Sequence, residues 1–208
     1  MGQAHSFWDR HAARYAKSPI ADEDSYQQKL KVTREYLRPD MELLEFGCGT
    51  GSTALIHAPF VKHIHATDIS PKMIEIARSK AGTQNVTNVD FEVATLDDPH
   101  NQDETYDAVL GLNILHLLED RDEAISRVRA MLKPGGGVFV SGTACLSETM
   151  KWFKLIGPVG KFFGLVPVIR VFTVQDLVTS LTRGGFEIEH QWQPGKGKSL
   201  FIVARKLA

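Results

Sequence analysis

The sequence predicts an α/β fold: a seven-stranded, mostly parallel sheet with helices on both faces and an antiparallel C-terminal hairpin. Three observations carry this. Strand-like and helix-like segments alternate from residue 41 to residue 141. Segment 107–112 is a continuous apolar run of the kind buried on both faces. In the tail, two strand-like segments flank a Gly/Lys loop, which is a hairpin signal. The 208 residues suit one domain, and 43% hydrophobic residues can build its core.

Each element has its own signal. Segments 7–15 and 25–37 read as helices, and Arg38-Pro39-Asp40 breaks the second. Segment 41–46 is a short apolar strand, followed by glycines and a helix over 52–58 up to Pro59. Segment 61–67 is the second strand and ends at Asp68. Ser70-Pro71 starts a helix, with Ser as cap and Pro in the first turn, and Gly82 is its expected stop. Its buried face is Met73, Ile74, Ile76 and Ala77.

Strands three and four are 89–93 and 107–112. A helix over 122–132 places Ala124, Ile125, Val128, Met131 and Leu132 on one stripe. A Pro-Gly turn then leads to strand five at 138–141. Thr173 looks like the cap of a helix through Thr182, ended by Gly184-Gly185. Segments 186–192 and 200–204 are the hairpin strands.

Composition sets limits on function. A net charge of −1 gives no whole-chain pull towards nucleic acid. Two cysteines, Cys48 and Cys145, make no disulfide framework, and a reduced, cytoplasmic protein is the simpler expectation. No apolar run is long enough for a membrane span. His57, His63 and His65 lack any standard zinc spacing, so no metal is expected.

The stretch LLEFGCGTGS carries the chemistry. In open sheets of this kind ligands bind beyond the carboxyl ends of the strands, where strand order reverses. A dinucleotide loop needs G-x-G-x-x-G, but Ser52 stands at the third position and the loop is G-x-G-x-G: Gly47, Gly49, Gly51. This argues against nicotinamide cofactors. The ATP-type P-loop pattern is absent. Asp68, at the end of the second strand, can accept hydrogen bonds from ribose hydroxyls. Glu45, just before the glycines, would repel phosphate and tolerate a cationic amino group or sulfonium. A ribose-bearing, phosphate-free, cationic cofactor follows. Cys48 has no basic neighbour in sequence and reads as a small loop residue.

These segments resemble the class I methyltransferases that use S-adenosyl-L-methionine. ELLEFGCGTG looks like their first motif and ATDISPKMIEIAR like their second. FEVATLDD, YDAVLGLNILHLLED and LKPGGGVFVSG are similar to the third, fourth and post-fourth segments, and RGGFEIE to the penultimate strand. FWDRHAARYA looks like the opening helix of the quinone and phospholipid-biosynthesis methyltransferases, the nearest small-molecule type. The resemblance implies a Rossmann-like fold, one methyltransferase domain over 1–208, and S-adenosyl-L-homocysteine as the product of the cofactor.

It also implies roles. The backbone of Gly47, Cys48 and Gly49 would approach the methionine part of the cofactor, and Glu45 would hold its amino group. Asp68 would take the ribose, with Ile69 and Met73 flanking the adenine. Thr95 stands where the family has an Asp that accepts from the adenine amino group, and its hydroxyl is a neutral, shorter acceptor. Backbone contacts from Leu96 could remain. Leu112 and Asn113 would line the methionine side, and Tyr15 would sit near the cofactor within a helical N-terminal lid, 1–37. His116 matches the family's histidine and is either a general base or a residue that caps and packs the following helix.

Segment 145–172 is the most individual. It reads as a helical packing insertion, as an apolar wall of the acceptor site through Trp152, Phe153, Phe162 and Phe163, or as a membrane-surface contact. The expected activity is methyl transfer to a small, partly apolar acceptor, with no nucleic-acid partner. The alternatives are a lipid or quinone-precursor methyltransferase with weak membrane-surface contact and a non-catalytic, cofactor-binding regulatory protein. The sequence leaves open the oligomeric state and whether O, N, C or S is methylated.

Overall fold

The computed structural model describes residues 2–98, 103–143, 170–195 and 198–208, with side chains from His5 onward. Two helices lead, α1 (Gly2–Lys17) and α2 (Glu23–Glu35). The body follows as β1 (Glu42–Phe46), α3 (Ser52–His57), β2 (His63–Asp68), α4 (Pro71–Gln84), β3 (Val89–Val93), β4 (Ala108–Leu112), α5 (Arg121–Met131) and β5 (Val138–Thr143). The tail is α6 (Val174–Arg183), β6 (Phe186–Trp192) and β7 (Leu200–Lys206).

The seven strands form one sheet in the order β3-β2-β1-β4-β5-β7-β6. The first five pair in parallel. β7 inserts antiparallel between β5 and β6, and β6 pairs with it antiparallel. Strand order reverses between β1 and β4, so the glycine loop leaves β1 at the switch point.

Period-two alternation divides the core into two layers. Leu43, Ile64, Ala66, Leu110, Val140 and Val203 pack with residues of α2, α3 and α4 on one face. Leu44, Phe46, Val109, Phe139, Ile202 and Ala204 pack with α5 and α6 on the other. In β4 the residues Ala108 to Gly111 are all buried, which explains its unbroken apolar reading.

The element ends have local causes. Ser70 caps α4 by accepting from Met73 N at 3.2 Å, with Pro71 in the first turn. Gly82 does not stop this helix. It runs on to Gln84, and Asn85 ends it in the left-handed conformation at φ 55°, donating to the carbonyls of Ala81 and Gly82. Asparagine tolerates that conformation, so it serves where glycine was expected. Asp120 caps α5, and Leu132 lies just past that helix in extended backbone. A reciprocal capping box between Thr173 and Asp176 starts α6.

Candidate active site

The loop after β1 is built from left-handed turns. Gly47, Gly49 and Gly51 have φ of 66°, 55° and 74°. A Cβ at Gly47 would lie 2.8 Å from the Ile114 side chain, and one at Gly51 would lie 2.6 Å from the Phe91 ring. Packing and conformation therefore both demand glycine there. At Gly49 the nearest atom to such a Cβ is Tyr15 Cε1, at 3.8 Å, so the Tyr15 ring stands beside the loop.

Asp68 ties the loop to the end of β2. One carboxylate oxygen accepts from Gly49 N at 2.9 Å and the other from Ser70 N at 2.9 Å. Burial raises its pKa against the lowering effect of these backbone hydrogen bonds. Each oxygen keeps a second acceptor site. Ala94 N donates to Asp68 O, which draws the β3 end, with Thr95 half-buried and Leu96 buried, to the same edge. Ile69 is half-buried and Met73 is buried in the first turn of α4, so both lie at this end of β2.

Glu45 is the electrostatic anomaly. It is 3% exposed, and its Oε2 has no hydrogen-bond partner among the described residues. Burial pushes its pKa up to about 8. A buried, orphaned acceptor beside a loop of open backbone fits a cationic ligand group. Cys48 is buried, and its thiol is pushed well up by desolvation, with Glu45 and Asp68 adding to the rise. A thiol so raised is not a nucleophile near neutral pH.

On the far side of the switch point, Asn113 takes φ 57° directly after Leu112, and its N–H bonds Gly142 O at 2.5 Å. His116 Nδ1 lies 3.1 Å from Thr143 Oγ1, and burial lowers its pKa, which favours the neutral ring. It does not cap the following helix, because Asp120 does, with its side chain accepting from Asp122 N and Glu123 N. The short 3-10 turn Leu115–Leu117 holds His116 against the end of β5 instead.

His57 on α3 and His63 and His65 on β2 each have partners of their own. His57 Nδ1 bonds Thr53 O, His63 pairs with Glu42 and Asp90, and His65 bridges Tyr106 and Glu92. Among the described residues no group of three or more His, Cys, Asp or Glu could hold a metal. Trp152, Phe153, Phe162 and Phe163 lie outside the described residues, as does Cys145.

One site residue escaped the sequence reading. Asp9, on α1, accepts from Ser70 Oγ at 2.6 Å and from Lys72 N at 3.1 Å. It pins the leading helix to the start of α4, beside Asp68. No spacing rule marks it, because its partners are more than sixty residues away.

Comparison with known proteins agrees with this geometry. Residues 43–136 match the family described as "Methyltransferase domain". A ubiquinone biosynthesis O-methyltransferase of Mesorhizobium japonicum is 28% identical over 69% of this chain and 51% of its own length. A highly reducing polyketide synthase of Emericella nidulans is 32% identical over 50% of this chain and 5% of its own. The chain thus spans about half, or far less, of these relatives' lengths. The structure of a geranyl diphosphate C-methyltransferase from Streptomyces coelicolor, in complex with S-adenosyl-L-homocysteine, superposes with a TM-score of 0.71 at 14% identity. It covers 89% of this chain and 79% of that one. Fold, loop and family match together define a class I S-adenosylmethionine-dependent methyltransferase domain. No described helix is long and apolar enough to cross a membrane.

Proposed function

We propose that the protein transfers the methyl group of S-adenosylmethionine to a small, partly apolar acceptor. The observation that carries this is the buried Glu45, whose Oε2 has no hydrogen-bond partner among the described residues, just before a left-handed glycine loop with Asp68 at the next strand end. Bound S-adenosylmethionine supplies a sulfonium methyl already activated for in-line displacement. The protein's task is then alignment and exclusion of water.

In this reading Glu45 pairs with the ammonium of the donor, and the backbone of Gly47, Cys48 and Gly49 cradles its methionine part. Asp68 offers its remaining acceptor sites to the ribose hydroxyls. Ile69 and Met73 flank the adenine, and Thr95 with the Leu96 backbone meets its edge. Leu112 and Asn113 bound the methionine side, and Tyr15 on α1 covers the loop as part of a lid over 1–37. His116 uses Nδ1 towards Thr143, which leaves Nε2 to take a proton from an acceptor that needs a base.

Calorimetry with S-adenosylmethionine, S-adenosylhomocysteine and NAD tests the donor. Heat from the two sulfur compounds and none from NAD is expected, and silence from both sulfur compounds rejects the reading. Turnover against phenols, amines, thiols and quinols then distinguishes an enzyme from a cofactor-binding regulator. Liposome flotation separates a free acceptor from one presented at a membrane surface.

A further inference from the structure

Helix α1 is held to the molecule mainly at its surface. Among its described side chains Ala12 alone is buried, and Ala12 belongs to neither core layer. The helix packs instead against α4. An element with so little buried apolar surface sits at the low-stability end of a fold. Its polar contacts then decide whether it stays docked.

Asp9 supplies those contacts. Its Oδ1 accepts from Ser70 Oγ at 2.6 Å and from Lys72 N at 3.1 Å. Ser70 is fully buried and is bonded in three directions. Its Oγ donates to Asp9 and accepts from Met73 N at 3.2 Å, while its N–H donates to Asp68 Oδ1 at 2.9 Å. Asp68 Oδ2 in turn accepts from Gly49 N at 2.9 Å, and the Tyr15 ring stands beside Gly49. Asp9 and Tyr15 are six residues apart on α1, about 9 Å along the helix. One helix thus meets both ends of a single hydrogen-bonded chain, Asp9–Ser70–Asp68–Gly49, which runs through the proposed ribose acceptor. Burial raises the Asp68 pKa and the nearby Asp9 charge adds to the rise, so the two carboxylates sense each other across Ser70.

We propose that Asp9 is a positioning residue that joins the docking of α1 to the binding of the donor. Docked through Asp9, α1 holds Ser70 in place, and the Ser70 N–H holds the Asp68 carboxylate towards the ribose. The same docking brings Tyr15 to the glycine loop. The linkage is reciprocal: whatever α1 docking adds to donor affinity, bound donor adds to α1 docking. The inference rests on the methyl-transfer reading and adds to it a residue that acts on the donor only through others.

Amide hydrogen exchange and calorimetry on the full chain, with S-adenosylhomocysteine as the probe, test this. In wild type, saturating probe should slow exchange across α1. Asp9→Ala should speed α1 exchange, leave β1 and β4 protected at the sheet centre, and weaken the probe about tenfold, inside the roughly five- to 150-fold span of coupling between sites. Asp9→Asn keeps an oxygen acceptor for Ser70 and Lys72 and should recover most of that loss. If Asp9→Ala fails to fold, Asp9→Ser, whose shorter side chain falls short of Ser70, takes its place. A double-variant cycle separates linkage from mere stability. Tyr15→Ala should cost a few-fold in wild type and nothing further in Asp9→Ala. Losses that multiply, a wild-type affinity in Asp9→Ala, or wild-type α1 exchange unchanged by the probe each overturn the inference and leave the methyl-transfer reading standing. A wild type that binds no S-adenosylhomocysteine overturns that reading and this inference with it.

Discussion

The two sides of the switch point are built differently. On the β1–β2 side the functional groups are acids and open backbone: Glu45, Asp68 and three left-handed glycines, all within one strand-loop-helix-strand unit. On the β4–β5 side a small recess is lined by Tyr26 and Lys29 of α2, Thr53 of α3, and Leu112, Asn113 and Gly142 at the strand ends, three of its stretches lying far apart in the chain. In the proposed reading the acidic side takes the cationic, hydroxyl-bearing parts of the donor.

The largest expected effect breaks the acidic side. Asp68→Ala removes the proposed ribose acceptor and also orphans Gly49 N–H and Ser70 N–H. Hydrogen bonds to a charged group are worth about 1.5–3 kcal/mol each, so S-adenosylhomocysteine affinity should fall at least about a hundredfold in calorimetry. An unchanged affinity would remove Asp68 from the site.

Next comes the loop's scaffold. Gly51→Ala drives a Cβ against Phe91 and Ala77 at 2.6 and 2.8 Å in a left-handed backbone. Overpacking costs about 1–3 kcal/mol, which lowers the melting temperature by roughly 2–12 °C for a chain of this size. Gly135→Ala is the control, because its φ of 82° meets open space. A melting point lowered equally in both variants would show that conformation alone, and not the Phe91 contact, requires glycine in the loop.

A subtler test concerns Glu45. Its folded pKa of about 8 lies above the ordinary 4.5, so its contribution to folding is full below about pH 4.5 and is lost as pH rises towards 8. An ammonium-bearing ligand would favour the ionised carboxylate. Binding of S-adenosylhomocysteine at pH 7 should therefore release close to one proton, read from heats in buffers of different ionisation enthalpy. Glu45→Gln should abolish that release, and a release that persists in the variant would move it to another group.

The smallest effect is at the proposed lid. Tyr15 is 54% exposed and its ring stands beside the loop at Gly49. Tyr15→Ala should weaken donor binding only a few-fold, on the scale of about 1 kcal/mol for part of an aromatic contact, and Tyr15→Phe should leave it unchanged. A hundredfold loss in either would make the tyrosine a principal ligand.

The acidic side was legible in the sequence because its parts are neighbours. Strand, glycine spacing, Glu45 and Asp68 occur in order, and each has a local meaning. The caps at Ser70 and Thr173 were legible for the same reason. Asp9 was not. It meets its partners only after α1 has packed on the start of α4, far away in the chain, and it does not stand out among the chain's many charged residues. The end of α4 failed more locally, since Asn85 and Gly82 both signal a stop and only the packed helix chose between them.

The sequence by itself determined the alternating α/β architecture, the loop and the class of cofactor, because hydrophobic period and glycine conformation are short-range properties. The tertiary structure decided that β7 enters between β5 and β6, that Asp120 and not His116 caps the helix after β4, and that Glu45 Oε2 has no hydrogen-bond partner among the described residues. These depend on which distant surfaces exclude water together. Burial, and the cost of leaving a charge unpaired within it, exists only once the chain has closed on itself.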